Sequence, residues 1–451
     1  MSRKYFGTDG IRDVAGVGLL APEVVRACGR ALGALLAASG TEARVLAGRD
    51  TRRSGPELLD QLAEGLLDHG HVLSDGGVLT TPAVQTLARE EGFDLAVVVS
   101  ASHNPAADNG LKFFGRDGRK LPDATELRIE ALIDEELANP RKIGRSGHRL
   151  ADPAAARRYV RFLREVCFPE LDLSGRILVL DCAHGAAADI GPRALRSFGA
   201  EVIARGVSPD GLNINAGAGV FHVAELAAPV AVHSACIGIA LDGDADRALF
   251  VDECGAVRDG DHMLGVFAAD LATRGLLDGR ALVSTVMANI GLVQRCKQLG
   301  LHCELTPVGD RHVAAGMDRL KAVLGGEQSG HIIFRQGSRW YGDGLYTALR
   351  MLEIMARTGL SLSALTAPIR KFPQCLLGVR VAKRVALDQV PELMQAQAAV
   401  EARLGADGRV LLRYSGTELL LRVMVEGPDE ATVAAMGEEL AVVARRCLGA
   451  G

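Results

Sequence analysis

Aromatic side chains are scarce in this sequence, at 4% of 451 residues, so its cores must be built mainly from Ala, Leu and Val. Basic residues are not in excess either, because 51 Lys and Arg stand against 55 Asp and Glu, for a formal net charge of −4. This balance argues against a nucleic-acid-binding protein, which usually carries a basic face. It leaves small anionic ligands open, since a few well-placed Arg and Lys bind a phosphate locally.

The nine cysteines are scattered and include no C-x-x-C pair. Such usage fits reduced thiols better than a disulfide framework or a zinc site. No uncharged apolar run is long enough to span a bilayer, and no apolar segment typical of a signal peptide follows the charged N-terminus. We therefore expect a cytoplasmic protein. At about 150 residues per domain, the length predicts roughly three domains, with two or four equally compatible.

Short apolar, β-branched runs that end in a Gly-rich or polar loop recur along most of the chain. Leu95–Val99 precedes the loop 100–105, and Ile237–Leu241 precedes the loop 242–246. Segments with a helical period, such as 186–198, lie between these runs. Strands alternating with helices predict an α/β fold, in which ligands bind beyond the carboxyl ends of the strands.

Changes of composition indicate three breaks. The polar stretch 139–153 is interpreted as a linker, a second break falls near the turn 253–255, and a third falls near 368–373. After the third break the pattern predicts one strand, a helix, two strands and a last helix from Glu430, which together form a smaller α+β unit.

The strongest local signal is the loop Asp242-Gly243-Asp244-Ala245-Asp246-Arg247. In an extended loop its three carboxylates would lean the same way, which is costly unless a cation such as Mg²⁺ neutralises them. An EF-hand is an alternative because Glu253 occupies its twelfth position, but Arg247 stands where that loop needs Gly. The D-x-D-x-T/V pattern of haloacid-dehalogenase-type phosphatases is not met, and a solvated acidic turn is not expected between two apolar strands.

Ser102 lies in a second loop, 100–105, directly after an apolar strand, and 109–112 follows shortly after. A Ser at a strand end among small residues can present its hydroxyl to a substrate, although the G-x-S-x-G pattern of hydrolases is absent. The alternative is that Ser102 or Asn104 only caps a helix or turn. The capping role is favoured when the stretch is considered alone, and the presence of the acidic loop elsewhere in the chain reverses that preference.

Two further loops have the composition of phosphate or sugar sites. The loop 325–331 sets Glu327 and Ser329 between glycines that let a ligand approach the backbone. The loop 413–418 begins with Arg413, and Arg422 follows it. Arginine, hydroxyls and free backbone N–H groups together form an anion cradle.

These loops occur in the order found in the α-D-phosphohexomutase superfamily, and the chain resembles its phosphoglucosamine mutase branch nearly from end to end. The Gln328 form of the sugar loop and the Ser-Gly-Thr-Glu form of the phosphate loop favour that branch. The stretches that carry the resemblance are 6–12, 100–105, 242–247, 284–292, 308–311, 325–331 and 413–418.

The resemblance implies an α/β fold with three similar domains and a smaller C-terminal α+β domain that binds phosphate, all around a central cleft. We place the domain with the phosphoserine loop at 1–150 and the domain with the metal loop at 151–256. The domain with the sugar loop is placed at 257–368 and the phosphate-binding domain at 369–451.

The resemblance also implies the chemistry of a phosphosugar mutase, an isomerase that interconverts glucosamine 6-phosphate and glucosamine 1-phosphate to supply UDP-N-acetylglucosamine, a cell-wall precursor. Ser102 would be carried as phosphoserine, and a sugar 1,6-bisphosphate would be both intermediate and primer. One Mg²⁺ per chain would be held by Asp242, Asp244, Asp246 and the Ser102 phosphate. The implied catalytic residues are Ser102, Lys112, His331, Arg247 and Arg12. The implied substrate-binding residues are Glu327, Ser329, Arg413, Ser415, Gly416, Thr417 and Arg422.

The expected partner is a phosphosugar, with no nucleic acid or membrane, and a homodimer and a priming kinase are also considered. The alternatives are a mutase for mannose or glucose phosphates, a metal-dependent sugar phosphatase, and a non-catalytic phosphosugar-binding protein. Lys112 and His331 are candidates for general acid and base, or for phosphate contact alone.

The sequence departs from the family pattern at five positions: Asp13, Val220, Phe221, Ala245 and Leu419. We expect Ala245 to be tolerated if its φ is negative, Leu419 to loosen the phosphate loop, and Val220-Phe221 to lose two hydroxyls of a Gly-Ser-Thr-His stretch.

Overall fold

Four β-sheets follow one another along the chain, with six, five, five and three strands. The computed structural model describes residues 3–7, 9–38, 40–139, 146–415 and 419–449. Helices cover the sheets, which confirms the predicted fold of three α/β domains and a smaller α+β domain. In the described residues, no helix is both long enough and apolar enough to cross a membrane.

The first sheet is mixed. Its strands are β1 Ile11–Val14, β2 Arg44–Arg49, β3 Val72–Val78, β4 Leu95–Val99, β5 Asp108–Gly115 and β6 His148–Ala151, and its helices are α1 Pro22–Ala37, α2 Gly55–Leu67, α3 Thr81–Glu91 and α4 Asp123–Ala138. The strand order is β1-β5-β4-β2-β3-β6, with β1 and β5 antiparallel to their neighbours. All five residues of β4 are buried, as expected for a strand covered by helices on both faces.

The predicted linker 139–153 contains a strand. Residues 140–145 lie outside the described part, but β6 pairs in parallel with β3 at the edge of the first sheet. All four of its residues are exposed, which explains why the polar sequence did not indicate a strand. The pairing comes from the edge of β3, whose backbone groups need partners.

The second sheet has the order β11-β10-β9-β7-β8. Its strands are β7 Ile177–Asp181, β8 Glu201–Arg205, β9 Ile237–Leu241, β10 Ala248–Asp252 and β11 Val257–Arg258, and its helices are α5 Ala155–Phe162, α6 Ala187–Arg196 and α7 Ala227–Val232, with a 3₁₀ segment at Val220–Leu226. The predicted helix 186–198 is α6. Antiparallel β9 and β10 are joined by the acidic loop, with Leu241 opposite Ala248.

The third sheet has the order β13-β12-β14-β15-β16. Its elements are α8 Gly260–Thr273, β12 Ala281–Thr285, α9 Ile290–Gln298, β13 His302–Thr306, α10 Asp310–Leu320, β14 Leu324–Gly326, β15 Ile332–Gln336, β16 Arg339–Gly342, α11 Gly344–Thr358 and α12 Leu362–Thr366. The predicted sugar loop connects β14 to β15, at the carboxyl end of a strand that runs parallel to β12.

The C-terminal domain has a three-stranded antiparallel sheet in the order β17-β19-β18. Its elements are β17 Gln374–Arg380, α13 Pro391–Leu404, β18 Arg409–Tyr414, β19 Leu420–Glu426 and α14 Glu430–Leu448. Helix α14 begins where the sequence predicted it, because the side chain of Asp429 accepts a hydrogen bond from Thr432 N and caps it.

The cores distinguish the C-terminal domain from the rest. One apolar cluster runs continuously through the first three domains, and Phe168, Phe334 and Tyr346 meet within it. The C-terminal domain has a separate cluster between its sheet and its helices. Because the two apolar clusters share no residue, the C-terminal domain has a hydrophobic core of its own. Polar contacts join it to the third domain.

Those contacts meet at Asn289, just before α9. Its side chain accepts a hydrogen bond from Phe372 N (3.0 Å) and donates to Phe372 O (2.9 Å) and Glu426 Oε1 (3.1 Å). Arg409 Nε donates to Glu426 Oε2 at 2.5 Å. One amide therefore ties the connecting segment, the third domain and β19 together.

Candidate active site

Ser102 lies three residues after the end of β4 and is 2% exposed. Its Oγ donates to Asp242 Oδ2 at 2.5 Å and lies 3.2 Å from His103 Nδ1, while its backbone N–H donates to Ser100 Oγ at 2.9 Å. Its φ is +50°, a region that costs a non-glycine residue about 1 kcal/mol or more. The loop must be held from outside to keep this conformation.

Arg52 holds it. The guanidinium, 1% exposed, donates to the backbone oxygens of Ser102 (3.0 Å), Asn104 (2.8 Å), Asp108 (2.9 Å) and Pro105. Its remaining N–H group, Nε, donates to Asp50 Oδ2 at 2.9 Å. All five guanidinium N–H groups are thus used; three of them bind backbone oxygens of the serine loop, and a fourth binds Asp108 O at the start of β5.

The acidic loop is a turn, which corrects the predicted extended conformation. Its carboxylates converge because the β9–β10 hairpin folds back tightly, and not because side chains alternate along a strand. Ala245 has a φ of +62°, so the condition under which it was expected to be tolerated is not met, and its Cβ carries strain that Gly would avoid. Gly243 is needed, since a Cβ there would collide with Ser102 O.

The three carboxylates fit a divalent cation. One ligand atom from each of Asp242, Asp244 and Asp246 lies within 4.8 Å of the others. The buried oxygens Asp244 Oδ1 and Asp246 Oδ1 have no hydrogen-bond partner, although a buried carboxylate oxygen normally has one. An all-oxygen set with free lone pairs suits a hard ion.

The electrostatics of the loop agree with this fit. Burial, followed by the charges of Asp246 and Asp244, raises the pKa of Asp242 well above its usual range. Burial acts in the same direction on Asp246, but the charged His331 outweighs it and lowers the pKa of that carboxyl. Three carboxylates so close repel one another unless cations compensate them.

Two basic side chains provide part of that compensation. Lys112 Nζ lies 2.8 Å from Asp244 Oδ2 and 3.1 Å from Asp9 Oδ2. Burial disfavours its ammonium, yet the Asp244 and Asp9 charges prevail and raise the pKa of Lys112. His331 Nδ1 lies 3.6 Å from Asp246 Oδ1. Burial again opposes the charge, and Asp246 raises the pKa of His331 to about 9.

The two predicted arginines lie at the same centre. Arg12 is paired with Asp9 through Nη2, and Arg247 Nε lies 3.8 Å from Asp246 Oδ1. The Nε atoms of both are buried without a hydrogen-bond partner. Unused donors next to the acidic groups of this centre suit an anion.

Lys120 connects the first domain to the third at this centre. Its Nζ lies 2.6 Å from Asp9 Oδ1 and 2.6 Å from Asp310 Oδ2. Asp310 in turn lies 3.9 Å from His331 Nε2. These residues line a cavity of about 440 Å³ between the two domains, which also reaches Trp340.

The predicted sugar loop lies close to these groups. Glu327 is 9% exposed, and its Oε1 accepts from Gly309 N at 3.1 Å. Its charge contributes to raising the pKa values of Arg247 and His331. Ser329 is half-buried in the same turn. The loop therefore presents a carboxylate and a hydroxyl near His331.

The predicted phosphate loop lies on the separate C-terminal domain. Arg413 and Arg422 face each other across β18 and β19, and burial together with the Arg422 charge lowers the pKa of Arg413. Like charges opposite each other destabilise a sheet, so this pair is suited to an anion. Ser415 is 5% exposed, and Gly416 and Thr417 lie outside the described residues. In the described part, no hydrogen bond or ion pair joins Arg413, Ser415 or Arg422 to the Ser102 centre.

Models of all four phosphoglucomutase/phosphomannomutase domains match the chain: alpha/beta/alpha domain I over 3–140, domain II over 157–255, domain III over 259–372 and the C-terminal domain over 376–442. The chain belongs to this family. The predicted membership is thereby confirmed, and with it the class of enzyme, a phosphosugar mutase and so an isomerase.

Similar proteins narrow the branch. The chain is 44% identical to the phosphoglucosamine mutase of Syntrophotalea carbinolica, over 100% of this chain and 99% of the relative. It is 45% identical to that of Symbiobacterium thermophilum, over 98% and 99%. These relatives agree with the branch that the sequence indicated.

Solved structures share the fold of this mutase. A phosphoglucomutase/phosphomannomutase family protein from Burkholderia thailandensis has a TM-score of 0.78 at 27% identity, covering 98% of this chain and 96% of that one. An Aspergillus fumigatus N-acetylphosphoglucosamine mutase, solved with GlcNAc-6P and magnesium, has a TM-score of 0.67 at 19% identity, covering 98% and 96%. At 19% identity the second shows the fold alone.

Several residues of this mutase site were not predicted from the sequence. Thr81, at the start of α3, donates through Oγ1 to Asp244 Oδ2 at 2.5 Å. Asp9 lies in the stretch 6–12 that carries the resemblance but was given no role, and Arg52 was not singled out. Lys120 lies in a short polar stretch and was not singled out either.

Proposed function

We propose that this chain interconverts glucosamine 6-phosphate and glucosamine 1-phosphate through a phosphoserine at Ser102 and a 1,6-bisphosphate intermediate. The observation that carries the proposal is the position of Ser102 Oγ, 2.5 Å from Asp242 Oδ2 in a loop whose other carboxylates keep free oxygens. A hydroxyl in direct contact with a cation-binding cluster is suited to hold a phosphoryl group and pass it on.

The amino sugar is proposed because the chain is 44% and 45% identical, over nearly the whole length of each relative, to two phosphoglucosamine mutases. The chain offers a feature that fits this substrate. Glu327 is buried near His331 and can accept hydrogen bonds from sugar hydroxyls or from an ammonium group.

The chain's own residues would divide the work as follows. Arg12 and Arg247 bind the phosphoryl oxygens with their unused donors, and Glu327 with Ser329 orients the sugar. His331, whose pKa lies at about 9, carries a proton at neutral pH and can donate it to the sugar oxygen that leaves phosphorus. Lys112 keeps its charge beside Asp244 and steadies the transferring group.

One Mg²⁺ per chain, held by Asp242, Asp244, Asp246 and an oxygen of the Ser102 phosphate, would supply charge neutralisation and Lewis-acid polarisation. Arg413, Arg422 and Ser415, together with Gly416 and Thr417, would bind the phosphate that is not reacting. Movement of the C-terminal domain on the Asn289 contact would close the cleft and keep out water.

The remaining expectations belong to the same proposal. A sugar 1,6-bisphosphate primes the enzyme, or a kinase phosphorylates Ser102 first. We propose cytoplasmic localisation, where the nine cysteines, all free in the structure, would stay reduced. A homodimer is also proposed, and sedimentation of the purified protein would test it.

The test is conversion of glucosamine 6-phosphate to glucosamine 1-phosphate with Mg²⁺ and a bisphosphate primer, comparing wild type with Ser102→Ala. Ser363→Ala is the matched control, since Ser363 lies on α12, away from the Ser102 site, and its side chain contacts Glu253. We expect loss of activity in Ser102→Ala with an unchanged melting temperature, and wild-type activity in the control. Full activity in Ser102→Ala would refute the phosphoserine.

Competing sugars and product analysis separate the alternatives. A higher kcat/KM for glucose 1-phosphate or mannose 1-phosphate would keep the mechanism and change the substrate. Steady release of inorganic phosphate without a primer would identify a phosphatase. Absence of both activities in folded, Ser102-phosphorylated protein would leave a phosphosugar-binding role.

A further inference from the structure

Phe221 is an aromatic residue on the surface of a chain that has few aromatics. Of the aromatic side chains that the structure describes, it alone is largely exposed, at 65%. Its neighbour Val220 is buried, so the backbone here is anchored while the phenyl ring projects. A large exposed apolar side chain gains little from folding, and its position therefore needs another explanation.

The ring lies beside the serine loop. Its centroid is 5.7 Å from that of His103, with the planes at 68°, an edge-to-face arrangement that stabilises aromatic pairs. His103 Nδ1 is in turn 3.2 Å from Ser102 Oγ. Phe221 thus contacts the imidazole that lies against the Ser102 hydroxyl.

Asn215, six residues before Phe221 in the second domain, also binds the serine loop. Asn215 Nδ2 donates to Ser102 O at 3.0 Å and to Asn104 O at 3.2 Å. The segment from Asn215 to Phe221 therefore contacts the serine loop at two points. The Asn215 amide binds its backbone, and the Phe221 ring packs against the His103 imidazole. The place of Phe221 is set by this packing and not by a free surface turn.

We propose that Phe221 is a positioning residue that holds His103 beside Ser102 and keeps water from the phosphoryl group carried there. This rests on the proposed function, because it requires phospho-Ser102. A hydroxyl-bearing residue at 221, as in the Gly-Ser-Thr-His pattern that the sequence departs from, would bind water at this place. The phenyl ring binds none.

The reaction that the ring suppresses is hydrolysis of the enzyme's own phosphate. The oxygen of a water molecule attacks phosphorus, the bond from phosphorus to Ser102 Oγ breaks, and Oγ takes up a proton as inorganic phosphate leaves. Productive transfer to a sugar hydroxyl uses the same bond. Excluding water reduces the hydrolysis of phospho-Ser102 during the time before a sugar binds.

The experiment loads the full-length protein with ³²P from labelled glucose 1,6-bisphosphate, removes the sugar, and follows release of ³²P-phosphate. Phe221→Thr should lose its label about 2- to 13-fold faster than wild type, the range that an aromatic pair contributes. Phe221→Tyr, which keeps the ring, should restore the wild-type rate. Val232→Thr, an apolar residue 78% exposed on α7, is the matched surface control and should also match wild type.

Equal rates of label loss in wild type and Phe221→Thr would overturn the inference. A raised KM for the sugar with unchanged label loss would overturn it too, since the ring would then be a sugar contact. Failure of the proposed function gives a different result: wild type would take up no more ³²P than Ser102→Ala. The inference about Phe221 would then be refuted together with the proposed function.

Discussion

Replacing Arg52 by Lys is the sharpest test of how the serine loop is held. Arg52 is buried, and its five N–H groups each donate one hydrogen bond, three of them to backbone oxygens of the serine loop and one to Asp108 O just after it. Lysine keeps the charge but has three donors on a single nitrogen. At least two of the five hydrogen bonds must therefore be lost, although Ser102 O and Asn104 O keep a second donor in Asn215.

A hydrogen bond from a charged donor to a buried or partly buried acceptor contributes about 1–3 kcal/mol, so the loss of two should lower the free energy of unfolding by about 2–6 kcal/mol. At about 2–4 °C per kcal/mol for units of this size, the melting temperature should fall by about 4 °C or more. Ser102, whose φ of +50° depends on these bonds, should lose its orientation, so kcat should fall while the KM for the sugar changes less.

The assay is thermal unfolding together with steady-state mutase kinetics, with Arg149→Lys as the control. Arg149 pairs with Asp60 and Asp75 at the surface, and its side chain is 32% exposed, so its replacement should cost at most about 1 kcal/mol. If Arg52→Lys melts and turns over like Arg149→Lys, the loop is not held by the guanidinium and this reasoning is wrong.

Three other predictions concern contacts other than the Arg52 hydrogen bonds. Asn289→Ala removes the amide that joins Phe372 to Glu426; the segment before β17 should be cleaved faster by protease, and an unchanged rate would show that the domain is held otherwise. Burial raises the pKa of Asp261 to about 7, so the stability that its protonated form provides at low pH is lost as the pH rises from about 4 to 7. Between pH 5 and 8, wild type should lose about 3 kcal/mol of unfolding free energy relative to Asp261→Asn. Parallel pH profiles of the two proteins would contradict this. Mg²⁺ at 100 times its Kd should stabilise wild type by about 2.7 kcal/mol but Asp244→Asn much less, and equal shifts in melting temperature would place the cation elsewhere.

The sequence by itself determined the features that lie within one strand and its following loop. The strand β4 and the serine after it, the acidic loop between β9 and β10, and the start of α14 are all visible locally. Apolar periodicity and turn residues specify such segments without distant partners. The order of four loops along the chain was enough to indicate the family.

Local pattern was insufficient where the backbone conformation depended on packing. The sequence left the sign of φ at Ala245 open, and the tight hairpin places it at +62°. The strand β6 was taken for linker, because an exposed edge strand needs only the free backbone groups of β3 and no apolar alternation.

Only the tertiary structure decided which distant groups meet. Lys120 lies in a polar turn, yet domain packing sets it between Asp9 and Asp310. The contact of Phe221 with His103 joins residues of two different domains. Charges and rings so far apart in sequence leave no periodic signal, because their positions follow from how whole sheets pack and not from the propensity of any single segment.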